Sequence, residues 1–271
     1  MWRSRWFRVY FVMSFFIIFA LFLSPQKANS ESRPIVDGPF SLTLKGGGNS
    51  DSGTIGLEAR YDYISPLINL HLFGKYDWLD SGNGIGEIDN KSYGAGLALS
   101  HTYQRTANAY IGTSFLHELD KTFWHAYLGG KYKINSNIIV NGSYGIRFSG
   151  IKKISLSKDL NLEARAVNWL KIGAVYVADN GFKGKLYYYL NDPGDENISG
   201  IEGEISYPFT DAVTVGIRGS TDISTESNID KNWKTLLFIT YAFGEHRGKP
   251  IDIALDKNNP IEYPRIIRKT V

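Results

Sequence analysis

The chain has 271 residues, 43% of them hydrophobic and 14% aromatic, with 28 glycines, 9 prolines, no cysteine and a formal charge of +3. Lack of cysteine excludes a disulfide scaffold, a thiolate metal centre and a cysteine nucleophile. The apolar content is too high for a disordered chain, and all-β barrels often reach this length as one unit.

Residues 1–30 read as an export signal. Arg3, Arg5 and Arg8 make a basic start, residues 9–23 are uncharged and apolar, and Ala28 and Ser30 are small residues at −3 and −1 of a cut after Ser30. The apolar run is shorter than the roughly 20 residues a helical span needs. Removing Arg3, Arg5, Arg8 and Lys27 takes the 30 basic residues to 26, against 27 acidic ones. The basicity belongs to the signal, so it gives no argument for a nucleic-acid partner. A short lead, 31–37, follows.

From 38 to 243 no window keeps a 3.6-residue period. Segments of about ten residues alternate between apolar and polar positions, and clusters of Gly, Asn, Asp and Ser separate them. In 53–63, Ile55, Leu57, Ala59, Tyr61 and Tyr63 share one face, and Glu58, Arg60 and Asp62 take the other. The same scheme sets Tyr93, Leu97 and Leu99 against Gly94, Ser100 and Thr102. It sets Ile138, Val140, Tyr144 and Ile146 against Asn141, Ser143 and Arg147. It recurs with Leu162 and Ala164 against Glu163 and Arg165, Leu186 and Tyr188 against Lys183 and Lys185, and Ile201 and Ile205 against Glu202 and Glu204.

A soluble sandwich would alternate too. Two features favour an antiparallel transmembrane β-barrel, which turns the apolar face to lipid. Aromatic residues gather near segment ends (Tyr61, Tyr63, Tyr76, Trp78, Phe123, Trp124, Trp233, Tyr241, Phe243). Tight connections at 65–66, 104–106, 135–136 and 210–211 contrast with polar ones at 46–52, 79–90, 150–158 and 221–232. Candidate strands begin near 40, 54, 67, 92, 107, 122, 137, 159, 169, 182, 198, 211 and 233. A closed bacterial barrel has an even number, so one boundary in 150–200 is misplaced. The expectation is about 12 strands, with 14 as the alternative.

The export signal, the alternating strands and the final segment 233–243 resemble Gram-negative outer-membrane β-barrel proteins. Such chains end in an aromatic-x-aromatic assembly signal, to which Tyr241-Ala242-Phe243 is similar, although here the segment is not terminal. The resemblance implies the outer membrane after signal cleavage near Ser30, lipid and lipopolysaccharide around the wall, and the barrel-assembly machinery as partner. The tail, 244–271, is polar and broken by Pro250, Pro260 and Pro264. Its segment Pro-Ile-Glu-Tyr-Pro-Arg-Ile-Ile at 260–267 weakly resembles the linker after the barrel in inverse autotransporter (intimin-like) proteins, where it threads the pore. The leading expectation is instead an extension resting on the periplasmic mouth.

The alternation points Glu58, Arg60, Asp62, Lys75, Arg147, Glu163, Arg165, Lys171, Lys183, Lys185, Glu202, Glu204, Arg218 and Lys234 inward. Both signs are present, which suits either a charged aqueous pore or an interior filled by neutralising pairs. The function expected first is a porin-like passage for small solutes or ions. A non-catalytic surface or anchoring barrel, related to inverse autotransporter translocators, is the second class. The third is a lipid hydrolase using Ser114 and His125, with Glu118 or Asp120 nearby.

No cofactor or metal is expected. Residues 80–87 lack the alternating register of a calcium loop. The glycines at 46–48 precede no helix. His71, His101, His117, His125 and His246 show no ligand spacing.

Overall fold

The structure, a computed structural model, describes residues 40–49, 53–65, 67–80, 91–118, 120–155, 161–192, 198–210, 212–224, 232–243, 250–256, 263 and 265–270. The expected signal peptide, its cut at Ser30, the lead and most of the 80–87 segment lie outside the described residues.

In chain order the elements are β1 (Phe40–Asn49), β2 (Gly53–Tyr63), β3 (Asn69–Asp80), β4 (Lys91–Tyr103), β5 (Ala107–Glu118), β6 (Lys121–Lys133), β7 (Ile138–Arg147), β8 (Lys152–Ser155), β9 (Asn161–Ala166), β10 (Asn168–Val177), β11 (Lys183–Asp192), β12 (Ile198–Pro208), β13 (Val213–Ser224), β14 (Trp233–Phe243), helix α1 (Pro250–Asp256) and β15 (Ile266–Thr270). Twelve of the strands form a closed antiparallel barrel, each paired with its neighbour in sequence except where β7 joins β10. Closure comes from β1 against β14, with Phe40 opposite Phe243 and Leu44 opposite Ile239. Closing the sheet leaves the wall with no free edge.

The thirteenth candidate, near 159, is a strand but not part of the wall. β9 has six residues, too few for the 9–11 that a tilted membrane-crossing strand needs. It pairs with β8 on one side and β15 on the other, in a separate three-stranded sheet. Glu163 and Arg165, expected on the lumen wall, therefore sit in that sheet. Gly46 to Asn49, expected in a long loop, continue β1 instead, with Gly46, Gly47 and Gly48 opposite Leu237, Leu236 and Thr235. A Cβ on Gly47 would run into the Thr235 carbonyl, so the close approach of the two backbones calls for glycine there.

The two-residue period becomes an inside and an outside. Leu44, Ile55, Leu97, Ile172, Leu186, Ile205, Leu237 and Ile239 are exposed on the outer face, while alternate positions are buried. So broad an exposed apolar surface is what a bilayer covers in barrels of this kind. Phe123, expected in the outer aromatic girdle, points inward and is fully buried beside Ala164 and Ala166 of β9.

The two barrel ends differ. Short links join β2 to β3, β4 to β5, β6 to β7, β10 to β11 and β12 to β13 at one end. At the tightest, Thr106 N–H donates to the Tyr103 carbonyl at 2.9 Å, and Gln104 and Arg105 have φ of 46° and 54°. Both central residues are thus left-handed, as the twist of a two-residue hairpin demands. The opposite end carries the 81–90, 193–197 and 225–232 connections and the β8–β9 hairpin.

Candidate functional site

Charges that the alternation turns inward must find partners in a confined space, and the wall is registered so that they do. Lys75 on β3 meets Asp77 at 3.0 Å, and Asp77 meets Lys45 on β1 at 2.8 Å. Lys45 meets Glu58 on β2 at 2.6 Å, and Glu58 lies 4.0 Å from Arg218 on β13. Arg218 meets Glu204 on β12 at 2.8 Å, and Glu204 meets Lys185 on β11 at 2.7 Å. This belt runs around about half of the barrel, and Lys45 and Asp77 in it are buried.

A second group joins Lys171 on β10 to Glu202 on β12 at 3.0 Å. In a third, Arg60 grips Asp62 at 2.7 Å, and Asp62 accepts from His71 Nδ1 at 2.6 Å. Lys183 lines the same lumen. Arg147 donates to the Ala166 carbonyl at 3.3 Å. Lys234 shares the inward face of β14 with Leu236 and Phe238. Lys45, Asp77, His71 and Lys131 are inward charged or titratable groups missing from the expected set. The alternation was there to find three of them, since Lys45 falls on the parity opposite Leu42 and Leu44, Leu70 and Leu72 bracket His71, and Tyr76 and Trp78 bracket Asp77.

The described tail residues of α1, Tyr263 and Arg265 lie in the lumen, in place of the expected rest on the periplasmic mouth. α1 lies near the short-link end, with Ile251, Ala254 and Leu255 packed on Ile139, Val175, Val177 and Tyr187. Lys131 Nζ donates to the carbonyls of Ala254 at 2.9 Å and Leu255 at 3.2 Å, which closes the C-terminal end of the helix. Lys133 pairs with Asp252 at 2.8 Å.

Further along, the Tyr263 ring meets Phe73 edge-on at 5.5 Å, with the Lys75 ammonium 4.8 Å from its centre. Gly94 leaves room for it, since a Cβ there would stand 3.0 Å from the ring. Arg265 reaches the opposite wall, 3.4 Å from Glu202. Its carbonyl accepts from Val167 N–H at 2.9 Å, and β15 then pairs with β9 beyond the wall. The described tail thus contacts the lumen from the short-link end to the opposite one. Beside it remains a cavity of about 690 Å³, lined by Glu58, Arg60, Lys183, Lys185, Glu204 and Arg218 and reaching the short links at 179–181 and 208–210.

Two serine–histidine contacts lie in this interior. Ser114 Oγ is 3.3 Å from His125 Nδ1, but His125 Nε2 has no hydrogen-bond partner among the described residues. The acid that would orient the ring is therefore missing from the pair expected on sequence grounds, and Asp120 is exposed in its turn. The other contact has the order of a hydrolase triad: His71 Nε2 is 2.9 Å from Ser100 Oγ, and Nδ1 is on Asp62. Ser100 Oγ also accepts from Asn69 at 3.3 Å and Asn108 at 3.2 Å. His71 is 1% exposed and Ser100 3%, so the hydroxyl is enclosed and saturated, cross-linking β2, β3, β4 and β5.

No family model matches the chain, and no curated protein matches it. Solved structures share its fold. The COG4313 outer membrane channel from Pseudomonas putida F1 is 10% identical with a TM-score of 0.59, covering 81% of this chain and 100% of that one. The KdgM porin, solved in complex with disordered oligogalacturonate, is 12% identical with a TM-score of 0.53, covering 75% and 99%. The NanC porin is 10% identical with a TM-score of 0.51, covering 74% and 98%. At these identities the likeness is one of architecture: a closed antiparallel barrel of the outer-membrane porin and channel kind.

Proposed function

We propose that this barrel sits in the outer membrane, reached after signal cleavage near Ser30, and gives small solutes or ions a porin-like passage. The observation that carries the reading is the charged cavity of about 690 Å³ inside a wall whose outer face is apolar. The ion-pair belt holds the wall and lines the path, and the tail narrows it. Lipid and lipopolysaccharide surround the wall, and Tyr241 and Phe243, exposed on the outer face beside the closing strand, serve as the assembly signal. No enzymatic role is assigned, because neither serine contact has both an oriented base and an accessible hydroxyl.

The test is single-channel conductance of residues 31–271, refolded in detergent and inserted in a planar bilayer. Stepwise, salt-dependent conductance is expected, with larger steps after deletion of 250–271. Silence from a folded, inserted, tail-deleted barrel refutes the passage.

One observation favours a second reading, a surface-display barrel related to inverse autotransporters: the described tail residues contact the lumen from the short-link end to the long-connection end. That end faces outward in outer-membrane barrels. An epitope placed after Val271 and detected on intact cells, in a protein that does not conduct, supports display over passage.

A further inference from the structure

Where the tail crosses the lumen, the wall surrounds one of its side chains with two rings and a carboxylate. The Arg265 guanidinium carbon is 4.4 Å from the centre of the Tyr189 ring and 5.8 Å from that of Trp169. Its Nη2 donates to Glu202 Oε2 at 3.4 Å. Two aromatic faces and a carboxylate around one planar cation are what guanidinium recognition asks for: ring faces attract the weakly hydrated cation, and the carboxylate takes its N–H groups.

The enclosure belongs to the wall and not to the tail. Trp169 stands on β10, Tyr189 on β11 and Glu202 on β12. The Tyr189 hydroxyl donates to Asp222 Oδ1 on β13 at 2.5 Å, which fixes the ring. Lys171 on β10 holds the other oxygen of Glu202 at 3.0 Å, leaving Oε2 for the guest. Gly145 and Gly200 provide the space, because a Cβ at either would collide with the Trp169 or Tyr189 ring. Four wall strands, β10 to β13, therefore supply the site and its supporting contacts.

We infer that this cage is a receptor site for guanidinium cations, filled at rest by Arg265, and that a guanidinium-bearing solute or peptide entering it displaces the tail and widens the lumen. Binding stands on the cage alone; the widening rests on the passage reading above. While Arg265 is tethered it competes at an effective concentration on the order of millimolar. An external guanidinium must overcome that, so the chain resists opening until the ligand is abundant.

The experiment titrates arginine amide into the full-length protein in detergent by calorimetry, with lysine amide at equal ionic strength as control. Arg265→Ala is expected to bind arginine amide at least tenfold more tightly than the unaltered protein does. Tyr189→Leu in that background should abolish the binding, and lysine amide should bind none of them. Arg265→Lys, which keeps the charge, should fall between the two and serves if the alanine variant does not fold. In bilayers, arginine amide should raise the conductance of the unaltered protein and leave Arg265→Ala unchanged. Equal binding of arginine and lysine amides by Arg265→Ala overturns the cage, as does equal affinity of variant and unaltered protein. Selective binding with no conductance, even from the tail-deleted barrel, upholds the cage and refutes the passage.

Discussion

Replacing Lys131 by Met tests what holds α1 inside the lumen. A seven-residue helix has no stability of its own. It exists because Ile251 and Leu255 are buried and because its last carbonyls meet a cation. Methionine keeps the length and apolar stem of the side chain but deletes both charge-assisted bonds. Each such bond contributes about 1.5–3 kcal/mol, and water entering the vacated site recovers part of that, leaving a net loss of about 2–4 kcal/mol. At about 1.4 kcal/mol per factor of ten, the undocked population rises roughly thirty- to a thousandfold. Lys133→Met is the internal control. Its pair with Asp252 is 22% and 24% exposed, and a pair so placed contributes about 1 kcal/mol or less.

The assay uses the absence of native cysteine. A cysteine at Ala254, which is 3% exposed, reacts with a maleimide only when the helix leaves the wall, so the labelling rate reports undocking. Lys131→Met should accelerate labelling by at least about thirtyfold and Lys133→Met by about fivefold or less. A change below twofold for Lys131→Met would show that α1 is held by burial alone.

Three further outcomes are expected. Leu237→Arg, on an outward leucine 65% exposed, should destabilise the protein by about 2–4 kcal/mol in lipid vesicles; a change within about 0.5 kcal/mol, usual for a water-facing site, would contradict the membrane wall. Lys45→Met leaves half-buried Glu58 and buried Asp77 short of a partner and should lower stability by about 3–5 kcal/mol in denaturant titrations in detergent; a loss below about 1 kcal/mol would mean the belt is solvated. Ser100 should not react with a fluorophosphonate probe, and its labelling, lost in His71→Ala, would overturn the structural reading of the Asp62–His71–Ser100 group.

The wall is legible in the order of residues alone. In a barrel with lipid outside and charge inside, a one-residue slip would turn every side chain to the wrong medium, so the two-residue period writes its inward and outward faces into the chain. Residues such as Ile55 and Glu58, or Leu186 and Lys185, could be assigned to opposite faces without knowing what they paired with. The even count followed from closure, although not which segment to discard. β9 alternates like a wall strand, and only its shortness and its pairing with β8 and β15 take it out.

The lumen's contents follow from contacts between distant parts of the chain. Lys131 meets Ala254 across 123 residues, and Arg265 meets Glu202 across 63. Nothing in a polar, proline-broken tail distinguishes a segment lying on the mouth from one lying in the bore. The inward aromatic residues Trp169 and Tyr189 likewise look like ordinary strand residues until β10, β11 and β12 place them around one guanidinium. Local periodicity encodes which way a side chain faces. What it faces depends on contacts that form only when distant parts of the chain meet.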